Sequence, residues 1–200
     1  MQTVYVSFRG TVNLPNWMTD FDFIKVHDII DDPNAEVHAG FYNAYSRVRS
    51  GILSGVRQAL SSFCPRCTRI VVTGHSLGAA LSGLCSVDLK VKLGGNFSVE
   101  MNNFGMPRLG NTAFATDFPR FVDVSWRMVH QDDLVPHVPP IDVGYHHVAT
   151  EVWSVSDGSG GLKYIVCNGS GEDPACSDSV PAAKWTAADH DTYMGEAKKC

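Results

Sequence analysis

The sequence has 200 residues, of which 44% are hydrophobic and 18% are charged, and its formal net charge is −5 at pH 7. This length suits one globular domain, and the composition excludes a disordered chain. An acidic chain without a basic cluster is a poor partner for nucleic acid, and no apolar run approaches the roughly 20 residues of a transmembrane helix. We therefore expect a single domain over residues 1–200, with no nucleic-acid partner and no transmembrane segment. The first residues contain neither a basic nor a long apolar region, so no signal peptide is expected there.

The first third of the chain predicts a strand, an irregular apolar segment and a long helix. Residues 3–8 alternate and are rich in β-branched and aromatic types, which predicts a strand that ends at Arg9-Gly10-Thr11. Residues 12–23 mix bulky apolar side chains with polar residues and a proline, which indicates irregular structure. A second short strand is predicted over residues 23–27. Apolar residues recur at steps of three and four over residues 40–60, which predicts a helix.

The most informative stretch follows that helix. A β-branched run over residues 70–73 stops at Gly74-His75-Ser76-Leu77-Gly78, and a helical apolar pattern begins at once. A strand, a sharp turn with a central serine, and a helix form the nucleophile elbow, in which glycines on both sides leave room for the tight backbone. The alternative is a glycine-rich turn with a passive serine.

The remainder of the chain alternates between strand and helix patterns. Strands are predicted over residues 97–104, 122–130, 148–155 and 162–166, a short helix over 111–118, and a polar terminal helix over 189–198. No repeat, linker or charge run divides the chain. Alternating elements of this kind indicate an α/β fold with a mostly parallel central sheet flanked by helices.

Six cysteines indicate an oxidising, secretory setting. Two pairs are close enough in sequence to close small disulfide loops, namely Cys64 with Cys67 and Cys167 with Cys176. Cys85 lies in the helix after the elbow and is expected to be a buried free thiol, whereas Cys200 has no obvious mate. A redox pair at Cys64 and Cys67 is less favoured because that motif normally follows a strand, and a zinc site lacks a second close pair of ligands.

An elbow serine needs an orienting acid and a base, which in this kind of fold follow it in the order acid, then histidine. Asp133 is the favoured acid because it ends a predicted strand and opens a loop, where catalytic groups commonly lie. Asp132 is the alternative. The alternative role for either carboxylate is to cap the loop.

His190 is the favoured base. It comes 57 residues after the acid, which leaves enough chain to return over the elbow. His137 lies too close to the acid along the chain, His146 and His147 adjoin a predicted strand, and His75 inside the elbow points the wrong way. These histidines remain alternatives at this point.

The oxyanion hole requires two donors. One is the backbone N–H of the residue after the nucleophile, which is Leu77. The other is expected from a loop after an earlier strand, and the Gly10-Thr11 turn is the one upstream turn with a glycine-permitted, donor-rich backbone. The alternative is an ordinary β-turn.

These motifs together resemble a known family, the fungal-type or class 3 lipases, which includes triacylglycerol lipases and feruloyl esterases. The matching pieces are Phe8-Arg9-Gly10-Thr11, Val37-His38-x-Gly40-Phe41, Thr73 to Leu81, Phe104-Gly105-x-Pro107-Arg108-x-Gly110-Asn111, Asp133-Leu134-Val135-Pro136, Gly144-Tyr145-x-His147 with Glu151 and Trp153, and His190-x-x-Tyr193-x-Gly195. The resemblance implies an α/β-hydrolase fold, the triad Ser76, Asp133 and His190, and oxyanion donors at Thr11 and Leu77. It also implies that His147 is not the base.

The resemblance implies a lid over residues 12–23. Its substrate-facing residues would be Leu14, Trp17, Met18 and Phe21. Family members carry several dozen further residues ahead of the oxyanion strand, and the resemblance implies that Cys200 bonds to that N-terminal part, which the sequence does not show.

The sequence therefore predicts a secreted, monomeric serine esterase that needs no metal or cofactor. Acylglycerols at a lipid–water interface are the expected substrates. The alternatives are an esterase of plant cell-wall feruloyl esters, a phospholipase A1 and, outside the enzymes, an inactive lipid-binding relative.

Overall fold

The fold is organised on a six-stranded sheet in the computed structural model, which describes residues 2–11, 22–27, 29–94 and 96–197. The strands of this part of the chain are β1 (Thr3–Phe8), β2 (Lys25–Val26), β3 (Val37–His38), β4 (Arg69–His75), β5 (Ser98–Phe104), β6 (Val124–His130), β7 (Glu151–Ser156), β8 (Leu162–Val166), β9 (Thr192–Tyr193) and β10 (Glu196–Ala197). The α-helices are α1 (Ala39–Gln58), α2 (Leu77–Leu93), α3 (Thr112–Asp117) and α4 (Ala187–His190).

The order of strands in the large sheet is β1-β4-β5-β6-β7-β8. Successive pairs from β1 to β7 are parallel, and β8 returns antiparallel to β7. The register aligns His75 with Phe104 and Phe104 with Met128, so β4, β5 and β6 end at one edge. In open α/β sheets ligands bind outside the carboxyl ends of the strands, so this edge is where a site is expected. These observations confirm the predicted α/β-hydrolase architecture.

Helices α1 and α2 cover one face of the sheet. The alternation of β4 places Ile70 and Val72 on that face, where both are fully buried. A buried carboxylate also joins the two helices, because Asp88 of α2 accepts hydrogen bonds from the Tyr45 hydroxyl (2.9 Å) and from the Arg49 guanidinium (2.8 and 2.6 Å), both on α1. Paired in this way, the buried charge is compensated and fixes the orientation of α1 on α2.

The end of the chain differs from the predicted terminal helix. Helix α4 begins after Thr186, whose hydroxyl accepts from the Asp189 N–H (3.0 Å), and it ends at His190. Strands β9 and β10 then form a hairpin. Met194 (φ 54°) and Gly195 (φ 81°) are its turn residues, and two left-handed residues in succession give the two-residue hairpin turn that suits twisted strands. The helix predicted over residues 189–198 is therefore wrong.

The cysteine predictions are confirmed where the structure describes the residues. Cys64–Cys67 and Cys167–Cys176 form disulfides, and Cys85 is free and buried. The prediction for Cys200 lies outside the described residues. Within the described ranges, none of the helices has the length and apolar character required to cross a membrane.

Candidate active site

Ser76 occupies the strained turn between β4 and α2. Its φ of 59° lies in the left-handed region, which is uncommon for a residue with a side chain. Its N–H donates to the Phe104 carbonyl (3.0 Å), which ties the turn to the end of β5. Glycine is required on both sides, because a methyl group at Gly74 would meet the backbone of Gly78 and one at Gly78 would meet the Phe8 carbonyl. The predicted elbow is thus present, with Ser76 fully buried at its apex.

Asp133 and His190 form a buried pair beside this turn. The His190 Nδ1 atom lies 3.0 and 2.9 Å from the two carboxylate oxygens, and both side chains are 0% exposed. A carboxylate only accepts hydrogen bonds, so Nδ1 carries the proton and Nε2 of the neutral ring is left as an acceptor. Both His190 Nε2 and Ser76 Oγ are buried without a hydrogen-bond partner among the described residues. The two atoms that a proton transfer would connect are therefore both unengaged.

Two further groups hold the Asp133 carboxylate. Its Oδ1 accepts from the Val135 N–H (2.8 Å), and its Oδ2 accepts from the Tyr193 hydroxyl (2.5 Å). Burial, and then the negative charge of Asp133, raise the pKa of Tyr193 well above its ordinary value, so the phenol remains a donor. The sequence placed Tyr193 in a motif but not in contact with the acid, because 60 residues separate them along the chain.

Backbone and side-chain bonds join the acid loop to the base helix. The Thr186 N–H donates to the Asp132 carbonyl (2.8 Å), and the Leu134 N–H donates to the Thr186 carbonyl (3.2 Å). The Asp132 backbone N–H in turn donates to the Asp189 carboxylate (3.4 Å). Asp132, the alternative acid, thus binds the base helix through its backbone groups. The carboxylate of the neighbouring Asp133 is the one that bonds to the imidazole of His190.

The alternative bases lie in other surroundings. The ring of His137 stacks on Trp185 (centroids 4.1 Å apart), and His146 Nδ1 lies 2.9 Å from the His147 carbonyl. His147 Nε2 lies 2.7 Å from the Pro136 carbonyl. Burial, and then the charge of Arg127, hold the pKa of His147 well below its ordinary value. In the described structure these three rings bond to or stack on groups other than Asp133.

Gly105 is a site residue whose contact the sequence did not indicate. Its φ is 55°, and a methyl group there would lie 2.8 Å from ring atoms of His190 and 2.9 Å from Asp133 Oδ2. The dyad therefore packs directly on this bare backbone, and any side chain at residue 105 would displace it. The available signal was the motif Phe104-Gly105, which marks the end of β5.

The residues predicted for the oxyanion hole lie next to the nucleophile. A methyl group at Gly10 would come within 2.8 Å of the His75 carbonyl and 3.3 Å of Ser76 Cβ, so the turn that carries Thr11 packs against the elbow. Leu77 is the first residue of α2. The N–H groups of a helix's first turn have no partner within the helix, which makes this end suited to a developing negative charge.

The lid predicted over residues 12–23 falls almost entirely outside the described residues. Its residues Leu14, Trp17, Met18 and Phe21 lie outside the described residues, so the lid stays a prediction from the sequence. One group of metal-ligating side chains occurs in the described ranges, formed by Glu151, Cys167 and Cys176. Its two cysteines form a disulfide, so their sulfurs offer no thiolate to a metal ion.

Comparisons with known proteins agree with this geometry. Residues 5–143 match the model of the family described as lipase (class 3). The secreted mono- and diacylglycerol lipase 1 of Fusarium solani is 35% identical over 151 residues, which cover 75% of this chain and 43% of that protein.

Solved structures give the same result. The lipase from Rhizopus microsporus var. chinensis superposes with a TM-score of 0.88 at 34% identity, over 98% of this chain and 67% of that one. A triacylglycerol lipase whose catalytic centre is described as a serine protease triad superposes with a TM-score of 0.87 at 32% identity, over 98% of this chain and 72% of that one. The chain spans about half the length of the curated relatives that it matches.

Proposed function

The chain belongs to the class 3 lipase family, and we propose that it is a serine esterase that hydrolyses acylglycerols through Ser76, His190 and Asp133. The observation that carries this proposal is the buried dyad, in which His190 Nε2, like the Ser76 Oγ atom, has no hydrogen-bond partner among the described residues, while His75 next to Ser76 contacts His190. The lipase names of the relatives, and the triad ascribed to one of them, support the same assignment.

The reaction starts with proton transfer from Ser76 Oγ to His190 Nε2, while Oγ attacks the carbonyl carbon of the ester. Asp133 remains ionised, keeps the proton on Nδ1 and stabilises the imidazolium that forms. The Leu77 N–H, together with a donor from Thr11, receives the negative charge that develops on the carbonyl oxygen. Such a donor typically contributes roughly 10²–10³ in rate.

The tetrahedral intermediate then collapses. His190 gives its proton to the leaving alcohol oxygen, and an acyl group remains on Ser76. A water molecule, deprotonated by His190, attacks the acyl carbon. The bond to Ser76 Oγ then breaks, Oγ takes the proton back from His190, and the carboxylic acid is released. The donors proposed for the oxyanion are used a second time in this step.

Substrate class is tested with a hydrolysis panel. We expect turnover of tributyrin and of a long-chain triglyceride, with less on phosphatidylcholine and on methyl ferulate. We also expect a fluorophosphonate to label Ser76 and no other residue, as mass spectrometry of the labelled peptide would show. Preference for methyl ferulate would move the assignment to the feruloyl esterases, and absence of labelling at Ser76 would contradict the mechanism.

The setting of the enzyme forms part of the proposal. We propose that the protein is secreted, since it carries two disulfides and the Fusarium relative is named a secreted lipase. The lid prediction is checked by Trp17→Ala. If the lid covers the site, this change weakens activity on emulsified substrate more than on a soluble short-chain ester, because apolar contacts with oil favour opening.

A further inference from the structure

His75 is a histidine of the elbow that the proposed mechanism does not use. Its ring packs at a tilt against the imidazole of His190, with centroids 4.4 Å apart and planes at 31°. Its Nε2 atom lies 2.8 Å from the backbone carbonyl oxygen of His190. The residue that precedes the nucleophile in sequence therefore contacts both the ring and the backbone of the proposed base.

The partner decides which proton His75 carries. A backbone carbonyl only accepts, so Nε2 of His75 must be the donor of this hydrogen bond. That proton directs the Nε2 edge of the ring to the backbone carbonyl of His190.

The segment that carries the base needs an anchor of this kind. Helix α4 is four residues long and ends at His190, whose carbonyl is one of the terminal groups that a helix cannot satisfy internally. Thr186 secures the start of α4 through its cap. At the end of α4, the hydrogen bond from His75 satisfies the carbonyl of the residue that must be held in register with Ser76.

The ring of His75 also touches other parts of the site. Tyr193 lies edge-on to it at 5.6 Å, and a methyl group at Gly10 would lie 3.5 Å from its Nδ1. The turn at Gly10, the ring of His190 and the ring of Tyr193 thus all lie against the side chain of His75. Because His75 is covalently next to Ser76, it couples the position of these three groups to the nucleophile itself.

We propose that His75 is a positioning residue for catalysis. Its Nε2–H holds the His190 backbone, so that the imidazole stays within reach of Ser76 Oγ while the ring changes charge. This inference rests on the proposed function, in which His190 is the base. Misplacement of a catalytic group by about 1 Å can cost on the order of 10²-fold in rate, which sets the scale of the expected effect.

Three substitutions of His75 distinguish the effect of its N–H donor from the effect of its aromatic ring. His75→Phe keeps an aromatic ring but removes the donor, and we expect kcat on p-nitrophenyl butyrate to fall about 10- to 100-fold with KM within about twofold. His75→Gln keeps an N–H near the Nε2 position, whereas His75→Asn is one methylene shorter and cannot reach. We expect kcat of the Gln variant to exceed that of the Asn variant by at least about fivefold.

His27→Phe is the matched control. His27 also contacts a backbone carbonyl through a ring nitrogen, that of Ala35 at 3.2 Å, but it lies in the β2 region and outside the site. We expect its kcat to remain within about twofold of the parent enzyme. Thermal unfolding of all four variants then shows whether a loss in kcat follows the loss of the donor or a general loss of stability.

The outcomes distinguish this inference from the proposed function. Equal kcat for His75→Gln and His75→Asn, or a His75→Phe enzyme as active as the parent, would overturn the positioning role while the parent's sensitivity to Ser76→Ala upholds the function. A Ser76→Ala enzyme that retains activity would overturn both the positioning role of His75 and the proposed function. A loss in His75→Phe that appears as a raised KM with unchanged kcat would also count against positioning.

Discussion

Among the described residues, His190 and His137 are both buried and both lie near an aspartate, yet the proposed function assigns catalysis to His190 alone. His190 and Asp133 are both fully buried and are joined at 2.9 and 3.0 Å. His137 is also buried, yet its Nδ1 lies 3.7 Å from Asp178, beyond hydrogen-bond distance, and its ring lies flat on Trp185. In both histidines Nε2 has no hydrogen-bond partner among the described residues.

The difference lies in what else the aspartate binds. Asp133 accepts from neutral donors, the Val135 N–H and the Tyr193 hydroxyl, so its charge remains available to the imidazole. Asp178 instead lies 3.4 Å from the guanidinium of Arg108, which also forks onto Glu172 at 2.8 Å.

A carboxylate that is already balanced by an arginine has little charge left to stabilise an imidazolium. The comparison teaches that a histidine with a free nitrogen and an acidic neighbour is not sufficient for acid–base catalysis. The acid must be uncompensated, and a nucleophile must lie next to the base.

The largest effect is expected from removing the proposed nucleophile or the proposed base. Ser76→Ala and His190→Ala should each lower kcat on tributyrin by about 10⁴-fold or more, and the double variant should lose little beyond either single change because the residues act as one unit. His137→Ala should retain activity within about threefold. An inactive His137→Ala enzyme together with an active His190→Ala enzyme would reverse the roles of the two pairs.

The next largest effect on kcat is expected from the backbone that packs against His190 and Asp133. Gly105→Ala introduces a methyl group against His190 and Asp133 at a residue with φ of 55°, so we expect kcat to fall about 10²-fold and stability to fall by about 1–3 kcal/mol. Gly55→Ala, in α1 with no atom within 4 Å of the new methyl group, is the control. It should raise stability by about 0.5–1 kcal/mol and leave kcat unchanged. Normal activity in the Gly105 variant would mean that the dyad tolerates displacement.

A smaller effect is expected at the hydroxyl of Tyr193. Tyr193→Phe removes a donor to Asp133 but keeps the ring, so we expect kcat to fall about 3- to 30-fold with KM little changed. Tyr164→Phe removes an exposed hydroxyl on β8 and should have no effect on either constant. Equal kcat in the two variants would show that the remaining contacts of Asp133 hold the carboxylate without the phenol.

These predictions differ in how far the sequence alone could reach them. The elbow could be predicted because strand, turn and helix lie within about a dozen consecutive residues, and each leaves a local pattern. Asp133 and His190 could be chosen only by using the chain order of serine, acid and histidine that is typical of this fold. The contacts of Gly105 and Tyr193 could not be predicted, since they depend on the distance at which β5 and the final hairpin approach the dyad.

The end of the chain shows why a local pattern can also mislead. Residues 189–198 are mostly polar and include Met194, Glu196, Ala197 and Lys198, which are residue types of high helix propensity. The backbone instead turns at Met194-Gly195, and this hairpin places Tyr193 against Asp133. The glycine was visible in the sequence, but a methionine with positive φ is uncommon enough that the turn was not expected.

The smallest effect on activity is expected from the second pair, where pH separates stability from catalysis. Burial alone would raise the pKa of Asp178, but the nearby His137 ring and the charge of the Arg108 guanidinium outweigh it and leave the pKa lowered. A carboxyl whose pKa is lowered in the folded state stabilises the fold above its unfolded pKa of about 3.9, and this contribution is lost as pH falls through the folded value. Asp178→Asn should therefore unfold at a lower urea concentration than the parent at pH 6, with a free energy of unfolding lower by about 1–2 kcal/mol, and this gap should narrow as the pH falls below about 3.9. Its kcat at pH 7 should stay within about twofold of the parent, because Asp178 does not contact His190. A gap in stability that does not narrow as the pH falls below about 3.9 would mean that the charge of Asp178 is not what stabilises the cluster. A loss of kcat comparable to that of Asp133→Asn would remove the distinction between the His190–Asp133 and His137–Asp178 pairs.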